Sequence, residues 1–186
     1  MSARPAVFLD RDGTIVHDVH YLSRPEQLQL ISGAADALAR LMAAGLPLIV
    51  VTNQSGIGRG LFSEADFTAI TARLDAMLLE HGVTLTATYH CPDDPDVPRE
   101  HSCRKPGDSM HRRAALDHGL DLKQSFYIGD KWLDVELAVT HDAMGILVPT
   151  AETNFRDLSK AKDDAVVATT LGAAVDRVLR MLQSRG

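Results

Sequence analysis

Cysteine is nearly absent from this chain of 186 residues, which carries only Cys91 and Cys103. Two cysteines exclude a disulfide framework and make a reducing cytoplasm the default setting. Basic residues are in the minority, with Lys+Arg 19 against Asp+Glu 25 and a formal net charge of -6. That balance argues against nucleic acid as a partner, because broad binding needs a basic footprint. It still leaves room for a local anion pocket. Long apolar runs are missing as well. The longest, Met42 to Val51, is ten residues and contains Gly45 and Pro47. A membrane span needs about 20, so no membrane partner is expected. The start of the chain passes from Ala6-Val7-Phe8-Leu9 straight into charge, and no secretory signal is expected. Internal repeats and low-complexity tracts are not seen. What is present, 45% hydrophobic and 24% charged residues, suits one cytoplasmic globular domain over 1–186, expected to be a monomer.

Apolar runs and helical periodicities alternate along the chain. Ala6 to Leu9 reads as a buried strand that delivers polar residues at its end. Gly33 to Ala44 reads as a helix with Leu38, Leu41 and Met42 on one face and Gly45 as its stop. Leu46 to Val51 is apolar throughout, as a strand covered on both faces should be. Ser63-Glu64-Ala65-Asp66 opens a helix that stops at Gly82. Val83 to Tyr89 reads as a strand, 90–106 as a proline-rich loop, and Asp108 to His118 as a helix. Phe126 to Ile128 and Ile146 to Val148 are further strands, with a helix from Trp132 to Asp142 between them. The stretch 149–163 reads as polar and irregular. Ala165 to Ala168 is a candidate last strand before an amphipathic helix from Leu171 to Gln183. This alternation predicts an α/β fold with a doubly wound parallel sheet. Ligands on such sheets bind beyond the carboxyl ends of the strands.

Three strand ends carry polar residues that this fold would gather at one edge. Asp10-Arg11-Asp12-Gly13-Thr14 puts two carboxylates two residues apart, on one side of an extended exit, and Gly13 permits the turn that follows. Asp130 ends another strand, and Asp134 stands one helical turn later. Close carboxylates repel unless a proton or a divalent cation intervenes, and hard oxygen donors in this number suit Mg²⁺. A carboxylate beside such a cation can attack a phosphate and split one displacement into two. A second carboxyl can protonate the leaving oxygen and then activate water. Thr52 and Asn53 can hold phosphate oxygens, although a plain turn before a loop would use the same residues. Lys105 could supply a fixed cation. Arg104 and Arg59 could hold a second anionic group.

Taken together, these motifs closely resemble the haloacid dehalogenase superfamily of phosphotransferases: Asp10-x-Asp12-Gly13-Thr14, Thr52-Asn53, Lys105-Pro106, and Gly129-Asp130-x3-Asp134. The order and spacing match from about residue 5 to 148. Thr52-Asn53-Gln54-Ser55-Gly56-Ile57-Gly58-Arg59-Gly60 and Cys103-Arg104-Lys105-Pro106 are similar to the subgroup of heptose 1,7-bisphosphate phosphatases and histidinol-phosphatases. The resemblance implies a haloacid-dehalogenase-like, Rossmannoid fold, with Asp10 as nucleophile and Asp12 as general acid/base. It implies Mg²⁺ on Asp10, the main-chain carbonyl of Asp12, and Asp130. Thr52, Asn53 and Lys105 would bind the transferring phosphate, and Gln54, Arg59 and Arg104 would read the substrate. Asp134 would orient its neighbours. Residues 15–46 and 53–104 are too short for a large cap domain, so loops alone should rim the site.

The same subgroup carries a zinc loop, Cys-x-His…Cys-x-Cys, before Arg-Lys-Pro. Here Cys91-Pro92-Asp93 and His101-Ser102-Cys103 stand at those positions. The resemblance therefore implies a structural Zn²⁺ on Cys91, Asp93, His101 and Cys103, with His90 a spare donor. All these side chains can ligate zinc. A disulfide between Cys91 and Cys103 is the alternative that a reducing cytosol disfavours. A second departure is Pro149-Thr150-Ala151-Glu152-Thr153-Asn154, where the subgroup usually has Arg-Thr-Gly-Lys-Gly. The expected activity is Mg²⁺-dependent removal of the 7-phosphate from D-glycero-D-manno-heptose 1,7-bisphosphate, a small sugar bisphosphate. Histidinol phosphate, other small phosphomonoesters or a polynucleotide 3′-phosphate are alternative substrates. An inactive phosphatase-fold binding protein is the alternative outside enzymes, but it would be expected to have lost Asp10 or Lys105.

Overall fold

A computed structural model describes residues 3–185. Its elements in chain order are β1 (Val7–Leu9), α1 (Ala34–Ala43), β2 (Leu48–Asn53), α2 (Ser55–Gly58), α3 (Glu64–Leu79), β3 (Ala87–Cys91), α4 (Ser109–His118), β4 (Phe126–Gly129), α5 (Trp132–Thr140), β5 (Met144–Leu147), α6 (Phe155–Asp164), β6 (Val166–Val167) and α7 (Leu171–Arg185). A 3-10 turn at Pro25–Gln27 lies between β1 and α1. The strands form one sheet in the order β3-β2-β1-β4-β5-β6, and every pairing is parallel.

Strand alternation explains the two-sided core. Val7 and Leu9, Leu48 and Val50, and Phe126 and Ile128 point to one face, where buried residues of α1, α3 and α7 meet them. Phe8, Ile49, Val51 and Tyr127 point to the other face, against Met110 and Ala114 of α4 and Leu137 and Ala138 of α5. A strand buried on both sides has no polar position to spare until it leaves the sheet, so polarity collects at its carboxyl end. Ile49 is fully buried, and Ile49→Ala would cost about 2–5 kcal/mol through lost contact and the cavity left behind.

The helix boundaries follow from local chemistry. Ser63 caps α3, accepting from Asp66 N while Asp66 accepts from Ser63 N, the reciprocal box expected of that tetrapeptide. Gly33 and Gly45 flank α1 with φ of 77° and 80°, a region that favours glycine.

Other elements, β2 and β5 among them, are shifted by one or two residues at their ends, and three differ more from the sequence expectation. The third strand begins at Ala87 rather than Val83. Val83 instead caps the core after α3, and the pairing starts once Thr86 N bonds Leu48 O at 2.8 Å. The strand then runs on to Cys91, opposite Asn53, which brings the cysteine loop level with the strand ends. The stretch expected to be irregular contains α6. Asn154 caps it by accepting from Asp157 N, but Ala161 is its one fully buried residue and Phe155 is exposed, so no apolar stripe announces the helix. The turn Ser55–Gly58 forms α2 inside a segment read as a loop. No cap is inserted among the described residues: one short turn and α1 join β1 to β2, and α2 and α3 join β2 to β3.

Candidate active site

The ends of β1, β2 and β4 lie side by side because β1 pairs with both of the others. Asp10 follows β1, Thr52 and Asn53 close β2, and Asp130 follows β4. Lys105 enters from the loop after β3. Its ammonium donates to Asp10 Oδ1 at 2.6 Å and to the Val51 carbonyl at 2.7 Å, and sits 2.7 Å from Asp134 Oδ1. Asn53 fixes the backbone that carries this lysine, accepting from Lys105 N at 3.0 Å and donating to Lys105 O at 3.2 Å. The lysine thus has three acceptors and is buried.

Asp10, Asp130 and Asp134 are all buried, with carboxylate oxygens within 4.8 Å of one another. Gly13 is required for this closeness. Its φ is 85°, and a Cβ there would sit 2.6 Å from Asp130 Oδ2. Asp134 accepts from Lys131 N through Oδ2 and faces Lys105 through Oδ1, so it braces the Lys105 ammonium and the Lys131 backbone. Asp130 Oδ2 accepts from Thr150 Oγ1 at 3.3 Å, and the Asp130 carbonyl accepts from Thr153 Oγ1 at 2.7 Å. Asp130 Oδ1 is buried and has no partner among the described residues.

One lysine does not neutralise this cluster. Burial pushes the Asp10 carboxyl up, and although Lys105 opposes that, Asp134, Asp12 and Asp130 add to it, leaving a value of about 8. Asp130 is pushed up to about 6 by burial and then by Asp134. Burial pulls Lys105 down, but contact with Asp10 and Asp134 outweighs it and holds the ammonium above the ordinary lysine value. The lysine stays charged, and the excess negative charge falls on Asp10 and Asp130. A divalent cation among hard oxygen donors would relieve that excess. The orphaned Asp130 oxygen and the donor set fit Mg²⁺.

Asp10, Asp12, Thr52, Asn53, Arg104, Lys105, Lys131 and Asp134 border a cleft of about 190 Å³. It adjoins a second hollow of about 240 Å³ bordered by Asp12, Asp18, His20, Tyr21, Gln54 and Lys131. Lys131 touches both hollows and lies 3.3 Å from Asp18 Oδ2. The sequence reading overlooked it, although its place immediately after Asp130 was the available signal.

Two expected substrate readers are committed elsewhere. Gln54 is buried and donates through Nε2 to Asp12 Oδ2 at 2.9 Å and to Thr52 Oγ1 at 2.8 Å. Arg59 pairs with Asp94 at 3.1 Å and Asp96 at 2.6 Å, because the acidic loop 93–96 folds over it. Arg104 borders the first of these clefts, with Nη1 on the Asp93 carbonyl at 2.8 Å.

The cysteine loop is corrected in part. Cys91, Asp93 and Cys103 converge, but Cys91 and Cys103 are joined as a disulfide. His101 stands apart, with its side chain 92% exposed and Nε2 3.9 Å from Glu100 Oε1. The reason is local: Asp93 Oδ2 accepts from Ser102 Oγ and Cys103 N, both at 3.1 Å. That folds the 102–103 backbone inward and leaves His101 on the outer turn. His90 is turned to Glu64.

The comparisons with known proteins agree with this geometry. Residues 102–174 match the family model described as HAD-hydrolase-like. A curated D-glycero-D-manno-heptose-1,7-bisphosphate 7-phosphatase of Thermosynechococcus vestitus is 39% identical over 197 residues, covering 98% of this chain and 99% of the relative. The D-glycero-beta-D-manno-heptose-1,7-bisphosphate 7-phosphatase of Photorhabdus laumondii is 42% identical over 139 residues, covering 72% and 74%. The chain belongs to this phosphatase family of the haloacid-dehalogenase-like hydrolases. Among solved structures, a D,D-heptose 1,7-bisphosphate phosphatase from B. bronchiseptica, complexed with magnesium and phosphate, superimposes with a TM-score of 0.84 at 29% identity, covering 95% of this chain and 99% of that one. Family membership makes the strand-end cluster the place to look for phosphatase chemistry.

Proposed function

We propose that this chain is a Mg²⁺-dependent phosphatase that removes the 7-phosphate from D-glycero-D-manno-heptose 1,7-bisphosphate through an aspartyl phosphate on Asp10. The observation that carries the reading is the buried knot of Asp10, Asp130 and Asp134 around Lys105, in a chain aligned nearly end to end with a heptose bisphosphate phosphatase. The magnesium and phosphate named for the structural neighbour support the same cation here.

Asp10, the Asp12 carbonyl and Asp130 would hold Mg²⁺, which when bound neutralises phosphate charge and orients the phosphoryl group. Lys105 fixes the Asp10 carboxylate and offers charge to the transferring phosphate, with Thr52 Oγ and Asn53 beside it. An Asp10 oxygen bonds to phosphorus as the bond to the sugar oxygen breaks, and Asp12 gives its proton to that oxygen. Water then attacks phosphorus, its proton returns to Asp12, and the Asp10–phosphorus bond breaks to free phosphate. Asp134 keeps Lys105 and Lys131 in place. Arg104, at the edge of the cleft, is the residue proposed to meet the second phosphate.

For the loop we propose that reduced Cys91 and Cys103, with Asp93, hold Zn²⁺ in the cytoplasm. The disulfide of the oxidised chain is the same staple without metal. Metal analysis of protein purified under reducing conditions tests this; less than a tenth of an equivalent of zinc removes it.

The function is tested by turnover of heptose bisphosphate, histidinol phosphate and a 3′-phosphorylated oligonucleotide under one set of conditions. The expected result is the highest kcat/KM for the heptose compound. A preference for either of the other two overturns the substrate assignment and keeps the phosphatase.

A further inference from the structure

Arg11 stands between the two catalytic aspartates, yet its side chain is only 1% exposed. It donates through Nε to Asp12 Oδ1 at 3.1 Å and Oδ2 at 3.2 Å, and through Nη2 to Oδ2 at 2.9 Å. Gln54 Nε2 adds a further bond to Oδ2 at 2.9 Å. The guanidinium lies 5.6 Å from the centre of the Phe67 ring, whose neighbour His90 stacks at 4.0 Å. Its Nη1 has no partner among the described residues.

Stability does not account for this arrangement. A buried ion pair between adjacent residues ties no distant parts of the chain together, and an apolar side chain of similar size is often as stable or more so. An unpartnered buried Nη1 adds a further cost. The backbone is fixed independently, because the Arg11 carbonyl accepts from Thr14, Ile15 and Val16 amides at 3.4, 3.0 and 3.1 Å. What Arg11 adds is the orientation of the Asp12 carboxyl.

We infer that Arg11 and Gln54 are positioning residues that set the orientation of Asp12 and leave Oδ1 as the oxygen that gives and takes the proton. The chemistry of the contacts assigns the oxygens. Oδ2 accepts from three N–H groups, Arg11 Nε and Nη2 and Gln54 Nε2, and a protonated O–H cannot point at them. Oδ1 faces only Arg11 Nε. When Asp12 takes up the acid proton, Oδ1 is therefore the oxygen left to carry it, on a residue that borders the adjoining cleft. This rests on the phosphatase reading above and goes beyond it by naming what aims the acid.

The test compares kcat/KM for two leaving groups, since kcat/KM reports only the steps through transfer to Asp10. The probes are 4-nitrophenyl phosphate, whose phenolate departs without a proton, and the alkyl phosphate of the substrate panel that wild type hydrolyses best. Gln54→Met and, separately, Arg11→Met should lower kcat/KM for the alkyl compound by about tenfold or more, as part of the 10²–10⁴ due to a positioned acid. Any loss on the aryl compound, including what Gln54→Met costs through its bond to Thr52, should be at least about threefold smaller than the alkyl loss. Arg11→Lys should restore part of the alkyl rate. On an Asp12→Asn background, Gln54→Met should cost nothing further. Equal losses on both compounds, or a full additional loss on the Asp12→Asn background, overturn the inference and leave the phosphatase intact. A wild type that hydrolyses neither compound overturns the phosphatase reading itself. Should Arg11→Met fail to fold, Gln54→Met decides alone.

Discussion

Lys105 Nζ and Asp10 Oδ1, 95 residues apart in the chain, meet at 2.6 Å in the wall of the cleft. The same ammonium is 2.7 Å from Asp134. Removing it leaves two buried carboxylates without their counter-charge. Lys105→Met should lower kcat by about 10²-fold or more. It should also cost about 3–5 kcal/mol, the usual result of deleting one partner of a buried pair. Steady-state kinetics and chemical denaturation check the two halves separately.

Asp10→Asn should keep the fold and abolish turnover, with a loss of ~10³-fold or more. It also removes a carboxyl that burial and its neighbours disfavour in charged form. Thermal stability without Mg²⁺ should therefore hold or rise. Retained hydrolysis in a carefully repurified sample would take the nucleophile's role from Asp10.

The pH dependence of stability follows from the same group. Asp10 titrates at 3.8 when unfolded and at about 8 when folded, so the folded state binds its proton more tightly. The resulting stability is complete below about pH 4 and is lost as pH rises through about 8. Asp130, raised to about 6, acts in the same direction over the lower part of that window. In chelator, the melting temperature contribution of these groups should fall between pH 5 and 8. Asp10→Asn should flatten the fall, and Mg²⁺ should offset it by binding the charged forms. A melting curve series that is no steeper in wild type than in Asp10→Asn would contradict the assignment.

Thr150 and Thr153 reach Asp130 from the turn after β5. Outer-shell partners of metal ligands typically change affinity 10–100-fold. Thr150→Val combined with Thr153→Val should weaken Mg²⁺ binding by at least about tenfold on that scale. Calorimetric titration of the metal, without substrate, gives the number directly.

Arg59 and Arg104 should separate when tested against bisphosphate and monophosphate. Arg104→Ala should weaken the bisphosphate more, because Arg104 borders the cleft. Arg59→Ala should affect both alike, because Asp94 and Asp96 already occupy its guanidinium. Michaelis constants for the two compounds settle the matter.

The sheet was legible in the sequence because a parallel strand buried on both faces is an uninterrupted apolar run. Val7–Leu9, Leu48–Val51 and Phe126–Ile128 are all of that kind. Helix α6 was not legible, since Phe155 is exposed and Ala161 alone is fully buried. The convergence of Asp10, Thr52, Lys105 and Asp130 could be read from motif order, because each follows or ends a strand or enters from a neighbouring loop. The partners of Gln54 and Arg59 could not. Gln54 turns inward to Asp12 and Thr52, and the acidic residues that occupy Arg59 lie 35 and 37 positions away. His101 followed a positional pattern, but the inward fold at Asp93 placed it outside.

The turn at Thr150–Thr153 also links the far end of the molecule to Asp130. Among the described residues, none of β5, β6, α6 or α7 borders the cleft, yet Asp130 leans on the turn that leads into α6. Sequence drift in that C-terminal quarter would show first as a changed appetite for magnesium, with the choice of sugar untouched.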